Sequence, residues 1–187
     1  MSRRAPAPGD RHAADLTSRL AAAVRTVADF PRPGIAFRDI TTLLADGALF
    51  RDAVDAMAAA HAADGIEVVV GIEARGFILG APVAYLLGAG FVPIRKAGRL
   101  PSSSISAPYA LEYGEAVLEV HDDAIIRGQR VLIVDDLLAT GGTAAAAVQL
   151  VEALGGTVAS LAFLIDLADL DGVAALAGRT HSSLITL

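Results

Sequence analysis

The segment from residue 131 to residue 143, VLIVDDLLATGGT, constrains the fold most strongly. Its first four aliphatic residues predict a buried strand, and Asp135 and Asp136 follow at the C-terminal end of that strand. A short turn with two glycines then leads into an alanine-rich stretch that predicts a helix. In open α/β sheets, ligands bind beyond the carboxyl ends of the strands, so this segment predicts a binding site as well as a fold class.

The rest of the chain alternates predicted strands and helices in the same way. The apolar runs are continuous, which is typical of parallel strands that are buried on both faces. We therefore predict an α/β fold with an open, mostly parallel sheet flanked by helices, in a single domain over residues 12–187 after a disordered tail over residues 1–11. Helices are predicted at 15–27, 47–63, 76–87, 142–154 and 170–177, and strands at 67–72, 91–95, 130–135, 157–165 and 183–187.

Composition excludes several classes of function. The chain has 187 residues and a net charge of −6, which argues against a dedicated nucleic-acid-binding protein. It has no cysteine, and its four histidines are too far apart in sequence to suggest a metal site. The uncharged stretch 76–94 contains prolines and glycines that favour a buried helix and strand over a membrane span. A cytoplasmic location, with no membrane partner, is the expectation.

The turn after the two aspartates predicts a phosphate site. Thr140, Gly141, Gly142 and Thr143 supply backbone N–H groups at a helix N-terminus, and the two glycines allow a ligand to approach closely. The carboxylates of the preceding aspartates have the wrong charge for phosphate, but they can accept hydrogen bonds from sugar hydroxyls. The segment lacks a Walker lysine, so it is not a nucleoside-triphosphatase loop.

Four basic residues lie at the predicted carboxyl ends of strands, on the same edge as the phosphate turn. They are Arg75, Arg95, Lys96 and Arg99. Such a group of cations beside a phosphate site predicts binding of a pyrophosphate group, with Mg²⁺ bridging its oxygens.

Two further segments carry candidate functional residues. The polar stretch 100–108 predicts a mobile loop, and residues 109–113 and 116–121 predict a hairpin that turns at Gly114. Glu112, in this hairpin, is a candidate acid/base group whose pKa burial would raise. Near the N-terminus, FPRPGIAFRDI at 30–40 predicts a rigid arm whose Phe37, beside Arg38, can stack on a flat base.

Taken together, these motifs resemble the adenine phosphoribosyltransferases, of the type I phosphoribosyltransferase class. The resemblance spans residues 13–187 and is carried by FPRPGIAFRDI, EARGF, IRKAGRLP, LEYG and DDLLATGG in this order. It implies a type I phosphoribosyltransferase fold with an N-terminal hood over about residues 12–45 and a lid over about residues 97–121. The serine-rich loop 102–108 departs from bacterial relatives, which often have charged residues there.

The resemblance also implies a role for each candidate residue. The activity would be transfer of the phosphoribosyl group of phosphoribosyl pyrophosphate to adenine, with Mg²⁺ as cofactor, by a homodimer. Glu112 would be the general acid/base, and the basic residues would face pyrophosphate. Ala139 to Thr143 would hold the 5′-phosphate, Asp135 and Asp136 the ribose hydroxyls, and Ala36, Phe37, Arg38 and Leu137 the adenine.

Two alternatives remain at this stage. A related enzyme would use another base, although the arm and the LEYG segment argue against it. A regulator would use the same pocket to sense phosphoribosyl pyrophosphate without catalysis, and we expect such a protein to carry a basic surface for nucleic acid, which an acidic chain does not favour.

Overall fold

The computed structural model describes residues 8–110 and 115–187, and the side chains of residues 15–109 and 116–187. These residues belong to two compact units, the first ending at Ala53 and the second beginning at Val54.

The first unit combines helices with a small hairpin that the sequence pattern did not predict. Helix α1 (Pro8–Ala23) precedes strands β1 (Arg25–Val27) and β2 (Phe37–Asp39), which pair antiparallel, and helix α2 (Thr41–Ala45) follows. The predicted helix 15–27 is therefore wrong at both ends, because residues 8–11 are helical and Arg25 to Val27 are in a strand. That strand depends on a partner twelve residues downstream, which helical periodicity cannot indicate.

An ion pair supports this hairpin. Arg25 donates from Nε and Nη2 to Asp39 Oδ2, and the two residues are opposite each other in the strand register. The hydrogen bonds from Arg25 and Thr41 lower the pKa of Asp39 to about 2. Helix α3 (Gly47–Ala60) follows and continues into the second unit.

The second unit is built on a seven-stranded sheet in the order β5-β6-β4-β3-β7-β8-β9. Strands β3, β4, β7, β8 and β9 are parallel, whereas β6 pairs antiparallel with both β4 and β5. The predicted open, mostly parallel sheet is confirmed. Its elements are β3 (Val68–Ile72), α4 (Arg75–Leu87), β4 (Gly90–Lys96), β5 (Ser104–Ala110), β6 (Glu115–His121), β7 (Arg130–Leu138), α5 (Gly142–Ala153), β8 (Thr157–Asp166), 3₁₀ turns at Ala168–Leu170 and Gly172–Leu176, and β9 (His181–Thr186).

The central strands owe their burial to the continuous apolar runs seen in the sequence. All five residues of β3 are buried, as are Val131 to Val134 of β7. Helix α5 buries small residues, including Ala144, Ala146 and Ala147, which brings its backbone close to the sheet. Burial on both faces fixes the register of these strands, and with it the position of the residues at their ends.

The predicted mobile loop at 100–108 is wrong over most of its length. Residues 104–108 belong to β5, which is in register with β6 over seven residue pairs. Pro108 is compatible with this strand because β5 is an edge strand of the sheet, where an absent N–H is tolerated. The predicted turn at Gly114, and the residues 111–113 before it, lie outside the described residues.

The stretch 76–94 is a helix and a strand, as predicted. No helix in the described part of the chain combines the length and apolar character needed to span a bilayer. Two short 3₁₀ turns, at residues 168–170 and 172–176, replace the predicted helix 170–177. Strand β7 continues three residues beyond its predicted end at Asp135.

Candidate active site

The carboxyl end of β7 carries the two acidic side chains of the site. Asp136 is buried, with 6% of the residue exposed. Its Oδ2 lies 2.7 Å from Nη1 of Arg75, at the start of α4, in an ion pair without hydrogen-bond geometry. The backbone N–H of Asp136 donates to Asp135 Oδ1 at 2.8 Å. The structure thus brings an acid from β7 and a base from α4 into contact, whereas the sequence predicted only that both lie at the same edge of the sheet.

Asp135 has an unusual electrostatic environment. Burial of its carboxyl group and the adjacent charge of Asp136 together raise its pKa well above the ordinary value. The residue as a whole keeps some accessible surface. A carboxyl with a raised pKa is suited to hydrogen bonding with a neutral ligand group such as a hydroxyl.

Replacing Asp135 with asparagine is expected to stabilise the protein while impairing catalysis. The raised pKa means that stability is highest when Asp135 is protonated, below its unfolded pKa, and decreases as the pH rises through the folded value. At pH 7 we expect Asp135→Asn to raise the free energy of unfolding by about 1 kcal/mol, or about 2–4 °C in Tm. Thermal unfolding from pH 4 to pH 8 measures this, and the gain should shrink toward the acid end.

Asp136→Asn is the matched control, because it removes the partner of Arg75 and should not stabilise the protein. A lower Tm for Asp135→Asn than for wild type at pH 7 would contradict the conclusion that the ionised form of Asp135 destabilises the fold.

The turn after β7 is shaped by glycines. Gly141 has φ +78°, in the left-handed region, and α5 begins at the next residue. A Cβ at Gly141 would lie 2.5 Å from the carbonyl oxygen of Gly172, and one at Gly172 would lie 2.1 Å from the carbonyl oxygen of Ala139. The 3₁₀ turn at 172–176 therefore packs directly against the phosphate turn. The sequence did not predict a role for Gly172.

The four predicted cations do not all lie in the same surroundings. Arg75 pairs with Asp136, whereas Arg95, Lys96 and Arg99 surround Glu73, a residue without a predicted role. Glu73 Oε2 accepts hydrogen bonds from Arg95 Nε at 3.2 Å and from the backbone N–H of Lys96 at 3.1 Å. Its Oε1 lies 3.6 Å from Arg99 Nε. Burial opposes ionisation of Glu73, but these hydrogen bonds and positive charges outweigh it and lower its pKa.

The Glu73 position could have been noticed from the sequence. It is the acidic residue at the carboxyl end of β3, immediately before the Ala74-Arg75 pair, and the peptide between Glu73 and Ala74 is cis. An acidic residue that lies among basic residues at the ends of strands indicates an ion pair that holds the basic side chains in place.

The predicted adenine-contacting residues belong to different units. Ala36, Phe37 and Arg38 are in the first unit, where the ring of Phe37 packs edge-on against Phe30 with centroids 5.2 Å apart. Arg38 Nη1 donates to Thr26 Oγ1 across the hairpin. Leu137 is in β7 of the second unit and is partly buried. Glu112 lies outside the described residues.

Comparison with known families identifies the class. The family model for the phosphoribosyl transferase domain matches residues 40–173, which include β3 to β8 and the acid-acid-turn segment. The chain therefore belongs to the phosphoribosyltransferase family.

Individual relatives narrow the class further. The chain is 60% identical to the adenine phosphoribosyltransferase of Paracoccus denitrificans over 158 residues, 84% of each protein. Among solved structures, it is similar to adenine phosphoribosyltransferase from Thermoanaerobacter pseudethanolicus, with 48% identity and a TM-score of 0.89 over 91% of this chain and 99% of that one. The Saccharomyces cerevisiae enzyme was solved with an imino-altritol bisphosphate and adenine. It has 38% identity and a TM-score of 0.86 over 91% of this chain and 99% of that one. These relatives place the chain in the adenine branch of the family, and the predicted resemblance is confirmed.

Proposed function

We infer that this chain transfers the phosphoribosyl group of phosphoribosyl pyrophosphate to adenine, forming AMP and pyrophosphate in purine salvage. The observation that carries this inference is the 60% identity, over most of both chains, to a protein named adenine phosphoribosyltransferase. The two aspartates and the glycine turn at the end of β7 agree with it, because they offer donors for a phosphate and acceptors for a sugar diol.

The sugar phosphate is held at the end of β7. Backbone N–H groups of residues 139–143 face the 5′-phosphate, helped by the positive end of the α5 dipole. The hydroxyl groups of Thr140 and Thr143 add donors. Asp135 and Asp136 accept hydrogen bonds from the ribose hydroxyls, and their negative field stabilises the positive charge that develops on the ribosyl centre.

The pyrophosphate faces Arg75, Arg95, Lys96 and Arg99. Departure of pyrophosphate breaks the bond from C1′ to oxygen, and the cationic side chains stabilise the charge that the leaving group gains. In the described residues, no group of three or more histidine, aspartate or glutamate side chains is arranged to hold a metal ion. Mg²⁺ is assigned by the family resemblance to the substrate's phosphate oxygens, where it would neutralise charge on the leaving group.

On the strength of the family resemblance, we assign Ala36, Phe37, Arg38 and Leu137 to adenine. One imidazole-ring nitrogen of the base attacks C1′ from the face opposite to pyrophosphate. Glu112 exchanges a proton with the other imidazole nitrogen as the base becomes a nucleotide. The segment 97–121, which includes strands β5 and β6, is assigned by the family resemblance to exclude water, which would otherwise hydrolyse the activated sugar. The family resemblance further supports a homodimer in the cytoplasm.

The deciding experiment is an initial-rate comparison of free bases with the purified protein, Mg²⁺ and phosphoribosyl pyrophosphate. We expect pyrophosphate release with adenine, at a kcat/KM at least about 100-fold above that for hypoxanthine, guanine, xanthine or orotate. The reason is that polar groups of a site that match the hydrogen-bonding edge of one base are left unpaired when another base binds. A preference for another base would support the first alternative. Binding of phosphoribosyl pyrophosphate without turnover of any base would support the regulator.

A further inference from the structure

Glu73 is a mostly buried acidic residue that contacts basic residues at this edge of the sheet. Only 11% of its side chain is exposed, yet it faces three residues that carry positive charge. A buried carboxylate is costly unless it is paired, so its retention among cations that face pyrophosphate calls for an explanation.

We propose that Glu73 is a positioning residue for the pyrophosphate group, which it serves by fixing the guanidinium groups of Arg95 and Arg99 and the backbone at Lys96. This inference rests on the proposed function, because it assigns pyrophosphate to these cations. Glu73 acts through them and does not touch the reacting atoms.

The atoms that Glu73 engages support this role. It contacts Arg95 and Arg99 through their Nε atoms and Lys96 through the backbone N–H. These contacts do not occupy the ammonium group of Lys96 or the terminal nitrogens of Arg99. Arg95, Lys96 and Arg99 carry three positive charges against the single negative charge of Glu73, so these four residues keep a net positive charge that attracts a polyanion. Because Glu73 already contacts each guanidinium group at Nε, the arginine side chains lose less rotamer freedom when a phosphate binds.

The loop that carries Arg99 has further supports of its own. Gly98 N–H donates to Glu119 Oε2 at 2.9 Å, and Ala97 N–H donates to the carbonyl oxygen of Val117 at 3.0 Å. Arg95 Nη1 donates to the carbonyl oxygen of Arg99 at 2.9 Å. Because the loop backbone has these anchors, loss of the Glu73 charge should disturb mainly the side chains and leave the fold intact.

The test compares Glu73→Gln with wild type in two measurements. Calorimetric titration with pyrophosphate and Mg²⁺ should show affinity weakened by about 10- to 100-fold, the range expected when binding groups lose their fixed placement. Affinity for AMP should change by less than about twofold, since the Glu73 cluster does not face the nucleotide. In turnover, KM for phosphoribosyl pyrophosphate should rise by a similar factor, with kcat reduced less than KM is raised.

Two variants separate positioning from general structural damage. Glu67→Gln is the matched control, because Glu67 also accepts a backbone N–H, that of Arg130 at 2.8 Å, but precedes the opposite end of β3. It should leave pyrophosphate affinity unchanged. Glu73→Asp keeps the charge and should recover part of the affinity that Glu73→Gln loses, and it provides the same comparison if Glu73→Gln folds poorly.

The possible results lead to distinct conclusions. Unchanged pyrophosphate affinity in Glu73→Gln, or equal losses of pyrophosphate and AMP affinity, would overturn the role of Glu73. So would a defect that saturating Mg²⁺ repairs, because it would make Glu73 a metal ligand instead. Wild-type protein that binds pyrophosphate but forms no AMP would contradict the proposed function and not the positioning by Glu73.

Discussion

Glu112→Gln is expected to lower kcat by about 100- to 10,000-fold, the usual contribution of a general acid/base group. Glutamine keeps the size and one acceptor oxygen of glutamate but cannot exchange the proton that adenine must lose. KM for phosphoribosyl pyrophosphate should change little, because the phosphates are bound by other groups. Steady-state rates and direct titration of phosphoribosyl pyrophosphate together measure the two effects separately.

The control for Glu112→Gln comes from the same hairpin. Glu115, the first residue of β6, is three positions away and has no proposed role. Glu115→Gln should therefore keep kcat within about threefold of wild type, as is usual for substitutions away from functional groups. If Glu112→Gln weakens substrate binding as much as it lowers turnover, the acid/base role is wrong.

Gly141→Ala is expected to damage both stability and binding of phosphoribosyl pyrophosphate. The left-handed backbone costs an alanine about 1–2 kcal/mol, and the close approach to the carbonyl of Gly172 adds about 1–3 kcal/mol of overpacking. Any shift that relieves this contact moves the backbone N–H groups that we assign to the 5′-phosphate. KM for phosphoribosyl pyrophosphate should then rise by about 100-fold, as for other small displacements of binding groups.

Gly178→Ala isolates the backbone part of this effect. Gly178 has φ +74°, but no heavy atom lies within 4 Å of the position that its Cβ would take. Its substitution should cost only about 1–2 kcal/mol in the free energy of unfolding and leave KM unchanged. Equal losses of stability in the two variants, with KM unaffected in Gly141→Ala, would contradict the packing argument for the phosphate turn. Urea unfolding and initial rates provide the comparison.

Sequence reasoning succeeded where local pattern and tertiary environment agree. The central strands were predictable because burial on both faces requires uninterrupted apolar residues, and the family was predictable because its motifs lie at the strand ends in a characteristic order. The rule that parallel strands end at one edge predicted that Arg75 and Asp136 lie at the same edge of the sheet, although it did not predict their ion pair.

The errors at Arg25 to Val27 and at residues 104–108 share one physical origin, which is pairing between distant segments. Arg25 to Val27 form a strand because they pair with Phe37 to Asp39. Ser104 to Pro108 form a strand because they pair with β6. Neither segment has an apolar pattern that distinguishes it from a helix end or a polar loop. Glu73 was missed for the same reason, since its importance depends on arginines more than twenty residues away. The roles of Glu112 and of the adenine-contacting residues remain predictions.

The contact between helix α4 and strand β7 has a consequence for the ion pair of Arg75 and Asp136. A Cβ at Gly76 would lie 2.7 Å from the carbonyl oxygen of Val134, so the start of α4 sits against the end of β7 with no room for even a methyl group. Arg75, one residue before Gly76, and Asp136, two residues after Val134, are therefore brought close together by this backbone contact. Any side chain at position 76 would push the start of α4 away from β7 and lengthen the 2.7 Å separation between Arg75 Nη1 and Asp136 Oδ2.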